Sequence, residues 1–355
     1  MHYKTVDINT AAPKQASSSI LVIYTGGTLG MVYDEEGKSL VPFDFEQIID
    51  RIPELTGFGF RLTVISFNQL IDSANVNPAH WVALATLIEE NYNAYNGFVI
   101  IHGTDTMAYS ASALSFLLED LNKPVIFTGA QLPIGAVRTD ARENLITALE
   151  MAAARRDGRP VVTEVCILFN NQLLRGNRAK KVESAQFGAF ESRNYPPLAD
   201  CGIKIIYNTM VIKPYQPFSN LKVYKKMDTR VAILKLYPGI GREVIDAILN
   251  LPSLKGVVLE TYGSGNAPTE TWFLDSLRSA IDKGILIYNV SQCNGGTVTQ
   301  GRYETSRTLL NLGVLSGGDI TTEAAVTKLM FLLAHQDQMG DVPRNLTKAI
   351  RGEMS

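Results

Sequence analysis

From residue 20 to residue 169, apolar β-branched runs alternate with stretches of helical period. Ile20–Tyr24, Phe60–Phe67, Phe98–His102, Pro124–Thr128 and Glu164–Phe169 are short apolar runs of the kind that form buried strands. Between them, Asn77-Pro78 supplies a capping side chain followed by proline at the first helical position, and predicts a helix through Trp81, Leu84 and Ile88. Further helices are predicted over Met107–Leu118 and Thr139–Ala154. Strand and helix in this rhythm imply a mostly parallel sheet with helices on both faces.

The periodicity weakens between Asn208 and Lys226, where Pro214, Pro217 and Ser219 stand among polar residues beside the pair Lys225-Lys226. It then restarts. Val231–Leu236, Val257–Leu259 and Ile285–Val290 are predicted strands; helices are predicted near Glu243–Leu251, Thr269–Lys283, Tyr303–Leu310 and Thr322–His335. The expectation is a two-domain α/β protein: a larger N-terminal domain over 1–207, a linker over 208–226 and a smaller C-terminal α/β domain over 227–355. A chain of 355 residues is long enough to divide in this way.

Composition narrows the function. Apolar residues make up 46% and charged residues 19%, an ordinary globular balance, and the net charge of −2 offers no electrostatic footprint for nucleic acid or an anionic membrane. Cys166, Cys201 and Cys293 are odd in number and irregular in spacing, so neither a disulfide framework nor a zinc site is predicted, and reduced thiols fit a cytoplasmic protein. His2, His80 and His335 lack ligand spacing, and His102, at the end of a buried strand, is expected to be a hydrogen-bonded core histidine. The polar first nineteen residues carry no signal-peptide pattern, and no apolar run approaches a membrane span.

Two loops carry the chemistry. Thr25-Gly26-Gly27-Thr28 follows the first strand, and His102-Gly103-Thr104-Asp105-Thr106 follows the third. Ligands of open α/β sheets sit beyond the carboxyl ends of parallel strands, so loops about 75 residues apart in sequence can share one pocket. A threonine hydroxyl presented there is a candidate nucleophile, given a neighbouring base and a site for the oxyanion. Alone, the Gly-Gly turn is more often a phosphate or dinucleotide loop, or a plain tight turn, than a catalytic elbow, and Thr104-Asp105 reads equally as a helix cap. The P-loop and dinucleotide readings fail on detail: no Lys-Ser/Thr follows, and the third glycine is out of place.

The joint pattern resembles a known family. Thr25-Gly-Gly-Thr-Leu-Gly-Met31 and His102-Gly-Thr-Asp-Thr-Met107 are similar to the two signatures of the bacterial-type L-asparaginases. Arg175-Gly-Asn-Arg178, Tyr262-Gly-Ser-Gly-Asn-Ala-Pro268 and Gly317-Gly-Asp319 with Glu323 resemble the cytoplasmic type I branch. The resemblance implies hydrolysis of L-asparagine to L-aspartate and ammonia through a threonine acyl-enzyme, with no metal or organic cofactor. It implies Thr28 as nucleophile and Thr104, Asp105 and Lys181 as a second triad, Lys181 deprotonating Thr104. It further implies that Asp105 binds the substrate α-ammonium, that Ser73 holds the α-carboxylate with Asp72 beside it, and that Asn266 reaches a neighbouring subunit's site in a homodimer or homotetramer. Without the resemblance, Lys180-Lys181 would be a solvated lysine pair and Asp72-Ser73 a turn.

The chain departs from the family pattern in two respects. Lys38-Ser-Leu-Val41 stands where a lid tyrosine is expected, leaving Tyr33 as the possible lid residue beside Asp34-Glu-Glu-Gly37. Some type I relatives bind an effector asparagine in the cleft between domains; here Cys293 is kept while Lys180 and Glu260 replace a threonine and an arginine, which predicts a weak or absent cooperative response. The competing readings are a broader glutaminase-asparaginase, an ammonia-supplying amidotransferase subunit and a non-catalytic asparagine sensor. One substrate methylene separates the first from an asparaginase, a difference of about 1–3 kcal/mol that motifs do not encode. The amidotransferase relatives carry an added N-terminal domain, and retention of both threonines with Lys181 disfavours a sensor.

Overall fold

The computed structural model describes residues 3–10, 16–33, 40–42, 52–301 and 304–355. The chain forms two compact units, Met1–Lys225 and Lys226–Ser355.

In the first unit the described strands are β1 (Tyr3–Asn9), β2 (Ser18–Tyr24), β3 (Phe60–Phe67), β4 (Gly97–Ile101), β5 (Val125–Thr128), β6 (Val165–Phe169), β7 (Gln172–Arg175), β8 (Ala199–Cys201) and β9 (Ile205–Tyr207). Among the described residues they make one sheet in the order β1-β3-β2-β4-β5-β6-β7-β8-β9. The five strands from β3 to β6 run parallel, as their continuous apolar sequences require. Helices α1 (Pro78–Asn91), α2 (Met107–Leu117) and α3 (Ala141–Ala153) connect them. Asn77 starts α1 as expected: its Oδ1 accepts from the Ala79 N–H at 3.0 Å, while its own N–H donates to His80 Nδ1 at 3.1 Å. Alternate residues of β2 and β4, Ile20, Val22, Tyr24, Val99 and Ile101, share one core with Leu145, Ala148 and Leu149 of α3.

Strand order locates the crevice. The chain passes from β2 to β3 on one side of it and returns with β4 on the other, so direction reverses at β2/β4. Ligands of open sheets lie outside the carboxyl ends of strands at such a switch. Both threonine loops emerge there.

The sheet is wider than the sequence pattern predicts. Tyr3–Asn9 pairs antiparallel with β3 as an edge strand, and β7, β8 and β9 extend the other side antiparallel. The stretch expected as a linker lies within the first unit as far as Lys225. Ile212 enters the core, Lys222–Val223 pairs antiparallel with Leu118–Glu119, and the Asn122 side chain accepts from the Gln216 N–H at 2.9 Å.

The second unit has a four-stranded parallel sheet, β10 (Val231–Lys235), β11 (Gly256–Thr261), β12 (Leu286–Ser291) and β13 (Leu315–Ser316), in that order. Its described helices of eight or more residues are α4 (Arg242–Leu249), α5 (Thr271–Asp282), α6 (Glu304–Leu312) and α7 (Thr322–Ala334). Lys328 of α7 is fully buried and pairs with Glu353 at 2.7 Å, while donating to the Leu346 and Lys348 carbonyls at 3.0 and 2.7 Å. Burial alone would raise the Glu353 carboxyl, but the Lys328 ammonium and local N–H groups hold it below its ordinary range. No described helix is long and apolar enough to cross a membrane.

Candidate active site

Glycine brings the loops together. Gly26 and Gly27 have φ of +138° and +93°, backbone that disfavours any side chain. A Cβ on Gly27 would stand 2.5 Å from the Gly103 nitrogen, and one on Gly103 would stand 2.6 Å from Ser73 Oγ. The loops after β2, β3 and β4 therefore touch where a Cβ has no room. Thr28 and Thr104 each stand one residue beyond that contact.

Thr25 anchors the first loop, its N–H and hydroxyl both donating to the Ile101 carbonyl at 3.0 and 2.9 Å. Thr28 opens a 3-10 turn, Thr28–Gly30, held from below by the Tyr24 hydroxyl, which donates to the Gly30 carbonyl at 2.8 Å. Burial pushes the Tyr24 phenol well above its ordinary range, so it remains a neutral donor. Tyr33 pairs with Leu40 in the ribbon that follows; its partners in the expected lid, Asp34–Gly37, lie outside the described residues, as does His2.

Lys181 arrives from far along the chain. Its Nζ donates to Thr104 Oγ1 at 2.8 Å and to Asp105 Oδ1 at 2.7 Å. The Lys181 side chain is 18% exposed and that of Asp105 65%, so an ammonium set in the wall meets a carboxylate open to a ligand. The β6–β7 hairpin and the turn Gly176–Arg178 deliver Lys181, and Gly176 is packed so tightly that a Cβ would lie 3.0 Å from Ala111 Cβ and from the Val165 carbonyl oxygen. Neither Thr104 nor Asp105 caps α2. The N-cap is Thr106, whose hydroxyl donates instead to the Ser73 carbonyl at 2.7 Å.

Ser73 is buried against Gly103. Asp72 is occupied structurally, its carboxylate accepting from the Ala74 N–H at 3.0 Å at the head of the turn Ser73–Asn75. His102 is the core histidine expected. Its Nδ1 lies 2.6 Å from the Gly103 carbonyl, which only accepts, so Nδ1 carries the proton and Nε2 accepts from the Ser110 hydroxyl at 2.9 Å. Ser110 in turn accepts from Trp81 Nε1 at 2.9 Å.

A model of the asparaginase N-terminal domain matches residues 19–213, more than half of the chain and the whole of this constellation. The chain belongs to the asparaginase family. The glutaminase/asparaginase C-terminal domain matches residues 230–345. The chain is 39% identical to L-asparaginase 1 of Escherichia coli over 95% of its own length and 98% of that protein's, in line with the type I resemblance. L-asparaginase I from Vibrio cholerae superposes with a TM-score of 0.84 at 38% identity, covering 95% of this chain and 99% of that one. The 60 kDa lysophospholipase of Mus musculus is 42% identical over 95% of this chain. The chain spans about six tenths of that mammalian relative's length, 62%.

Set on this asparaginase fold, Thr104 has a further polar neighbour outside the two motifs. Gln131, in the loop after β5, brings Oε1 within 3.5 Å of Thr104 Oγ1, and its Nε2 donates to the Gln186 carbonyl at 3.0 Å. Its backbone N–H is fixed by the Asp140 carboxylate at 3.0 Å. The crevice argument applied to Thr128-Gly129-Ala130-Gln131 would have found it, since β5 neighbours β4. Asn266 lies in the second unit, where it and Tyr262 exchange backbone hydrogen bonds of 2.9 and 2.8 Å across the turn through Gly263 and Gly265.

Proposed function

We propose that this chain hydrolyses the side-chain amide of L-asparagine to L-aspartate and ammonia in the cytoplasm. The observation that carries the reading is Lys181 Nζ shared between Thr104 and Asp105, beside the point where Gly27 of the Thr28 loop rests on Gly103.

In this reading Thr28 Oγ attacks the carboxamide carbon and the carbonyl electrons move to oxygen. Collapse breaks the C–N bond, and the nitrogen leaves as ammonia with the proton given up by the hydroxyl. Thr28 is then an aspartyl ester. Thr104, relieved of its proton by Lys181 in its neutral form, activates a water that attacks the ester carbon, and Thr28 leaves with a proton. Asp105, open on one side, pairs with the substrate α-ammonium. Ser73 holds the α-carboxylate, and Asp72 acts on it by capping its turn. Tyr33 belongs to the lid, and Asn266 completes the site of a neighbouring subunit in a homodimer or homotetramer. The route needs hydroxyls, a lysine and carboxylates alone.

The full-length match to L-asparaginase 1 of Escherichia coli and the carboxylate of Asp105 open to a ligand support an amino-acid substrate. The test is ammonia release from L-asparagine and L-glutamine by the chain and by Thr28→Ala. The expected result is release from asparagine that falls by at least about a thousand-fold in the variant. Glutamine should be slower by about 10–200-fold. No release from either substrate, or an undiminished rate in Thr28→Ala, would refute the reading.

A further inference from the structure

The first unit contains a concavity of about 480 Å³ which none of this chemistry uses. It lies at the other end of the central strands. Asn96 and Lys123, which line it, stand just before β4 and β5, whereas the threonine loops follow the carboxyl ends of β2 and β4. The five residues of β4 set the two ends roughly 17 Å apart.

Its lining is unusual in charge. Lys123 Nζ donates to the carbonyls of Tyr92 and Tyr95 and lies 4.5 Å from the centre of the Tyr92 ring. Arg155 donates to the Asn96 carbonyl at 2.7 Å and to that of Ala154 at 3.1 Å. An ammonium has three donors and a guanidinium five, so donors remain on both after these bonds. Neither cation has a carboxylate partner among the described residues. The cavity's acidic lining residue, Glu89, is taken by Lys225 at 2.5 Å, and Arg159 adds a further charge 5.6 Å from the Tyr215 ring that walls the space.

Burial lowers the pKa of both cations, and the Arg155 charge lowers that of Lys123 further, so the fold holds two like charges together without an anion. The wall is preformed. Asn122 Nδ2 donates to the Gln216 carbonyl at 2.6 Å and to Ser219 Oγ at 2.8 Å, fixing the loop that carries Tyr215.

We propose that this cavity binds a phosphate-class dianion, free or carried by a nucleoside, with Lys123 and Arg155 donating to its oxygens. Two cations with spare N–H groups match the charge and the several acceptor oxygens of phosphate. The volume admits a nucleoside monophosphate, whose base would lie against Tyr215.

The experiment is calorimetric titration of the full chain with inorganic phosphate and, separately, with AMP. Saturable binding at millimolar concentration or tighter is expected, weakened at least ten-fold in Arg155→Met. Asn93→Asp supplies a second variant: Asn93 is exposed at the rim, makes no hydrogen bond among the described residues, and as aspartate would repel the ligand without disturbing the fold. Tighter binding of AMP than of phosphate assigns the site to a nucleotide, and equal affinities assign it to the free anion. No saturable binding of either, or unchanged affinity in both variants, overturns the proposal.

Discussion

His102 shows how a residue beside the candidate chemistry acts on stability instead. Burial pulls its pKa down to about 4. Above about pH 6.5 folded and unfolded chains both hold it neutral. As pH falls from there towards 4, the unfolded chain takes up a proton that the folded chain refuses, so stability is lost on acidification. Between pH 7 and pH 5 the loss from this residue should be about 2 kcal/mol. Urea unfolding of the chain and of His102→Gln at both pH values measures it: the variant should lose less stability than the parent by that amount, and equal losses would mean that His102 titrates normally in the fold. Neutral and bonded to Gly103 and Ser110, His102 fixes the backbone on which Thr104 stands. Thr25 and Thr106 serve the site in the same indirect way, their hydroxyls spent on the Ile101 and Ser73 carbonyls. Of the four threonines in the two motifs, this leaves Thr28 and Thr104 for chemistry.

At the scale of elements, the lysine depends on a buried ion pair. Glu164 and Arg175, with side chains 3% and 6% exposed, join the start of β6 to the end of β7 at 2.5 Å, and Arg175 also donates to the Val211 carbonyl at 2.9 Å. The turn that follows Arg175 leads to Lys181. Glu164→Gln leaves a buried guanidinium without its counter-charge and should cost about 3–5 kcal/mol of stability, while Glu164→Gln with Arg175→Met should recover part of it. Thermal and urea unfolding of the single and double variants check this; a double variant no more stable than Glu164→Gln would show that shape, not charge, sets the cost. The same region marks the limit of what the sequence pattern conveys. The five parallel strands were legible because strands covered on both faces are continuous apolar runs. In β1 Val6 is half-buried and Ile8 buried while Tyr3, Lys4, Thr5 and Asp7 are exposed, and β7 to β9 are three or four residues each, so neither produces such a run. The two glycine-threonine loops were legible because they follow strong strands. Lys181 was not, except by resemblance: it meets Thr104 and Asp105 across 77 and 76 positions, and next to Lys180 it has the look of a solvated pair.

At the level of the whole molecule, the proposed asparaginase reaction raises regulation by its own substrate. The type I resemblance places an arginine where Glu260 stands, and an arginine would meet an effector's α-carboxylate with a matching fork of donors. Glu260 has the opposite charge, and its oxygens are engaged within the second unit. Oε1 accepts from the Thr322 hydroxyl at 2.5 Å, Oε2 lies 3.7 Å from Lys235 Nζ, and the residue is 8% exposed. A side chain so held has no donor to offer, and an arriving carboxylate would meet repulsion. Allosteric coupling requires an effector that binds one state better than another, and an effector that does not bind shifts nothing. The rate of ammonia release should therefore rise hyperbolically with asparagine concentration from the lowest measurable values. Initial rates over a thousand-fold substrate range decide the matter. A sigmoidal curve would show that effector binding survives without the arginine. A curve turning sigmoidal in Glu260→Arg would instead locate the lost response at this one side chain.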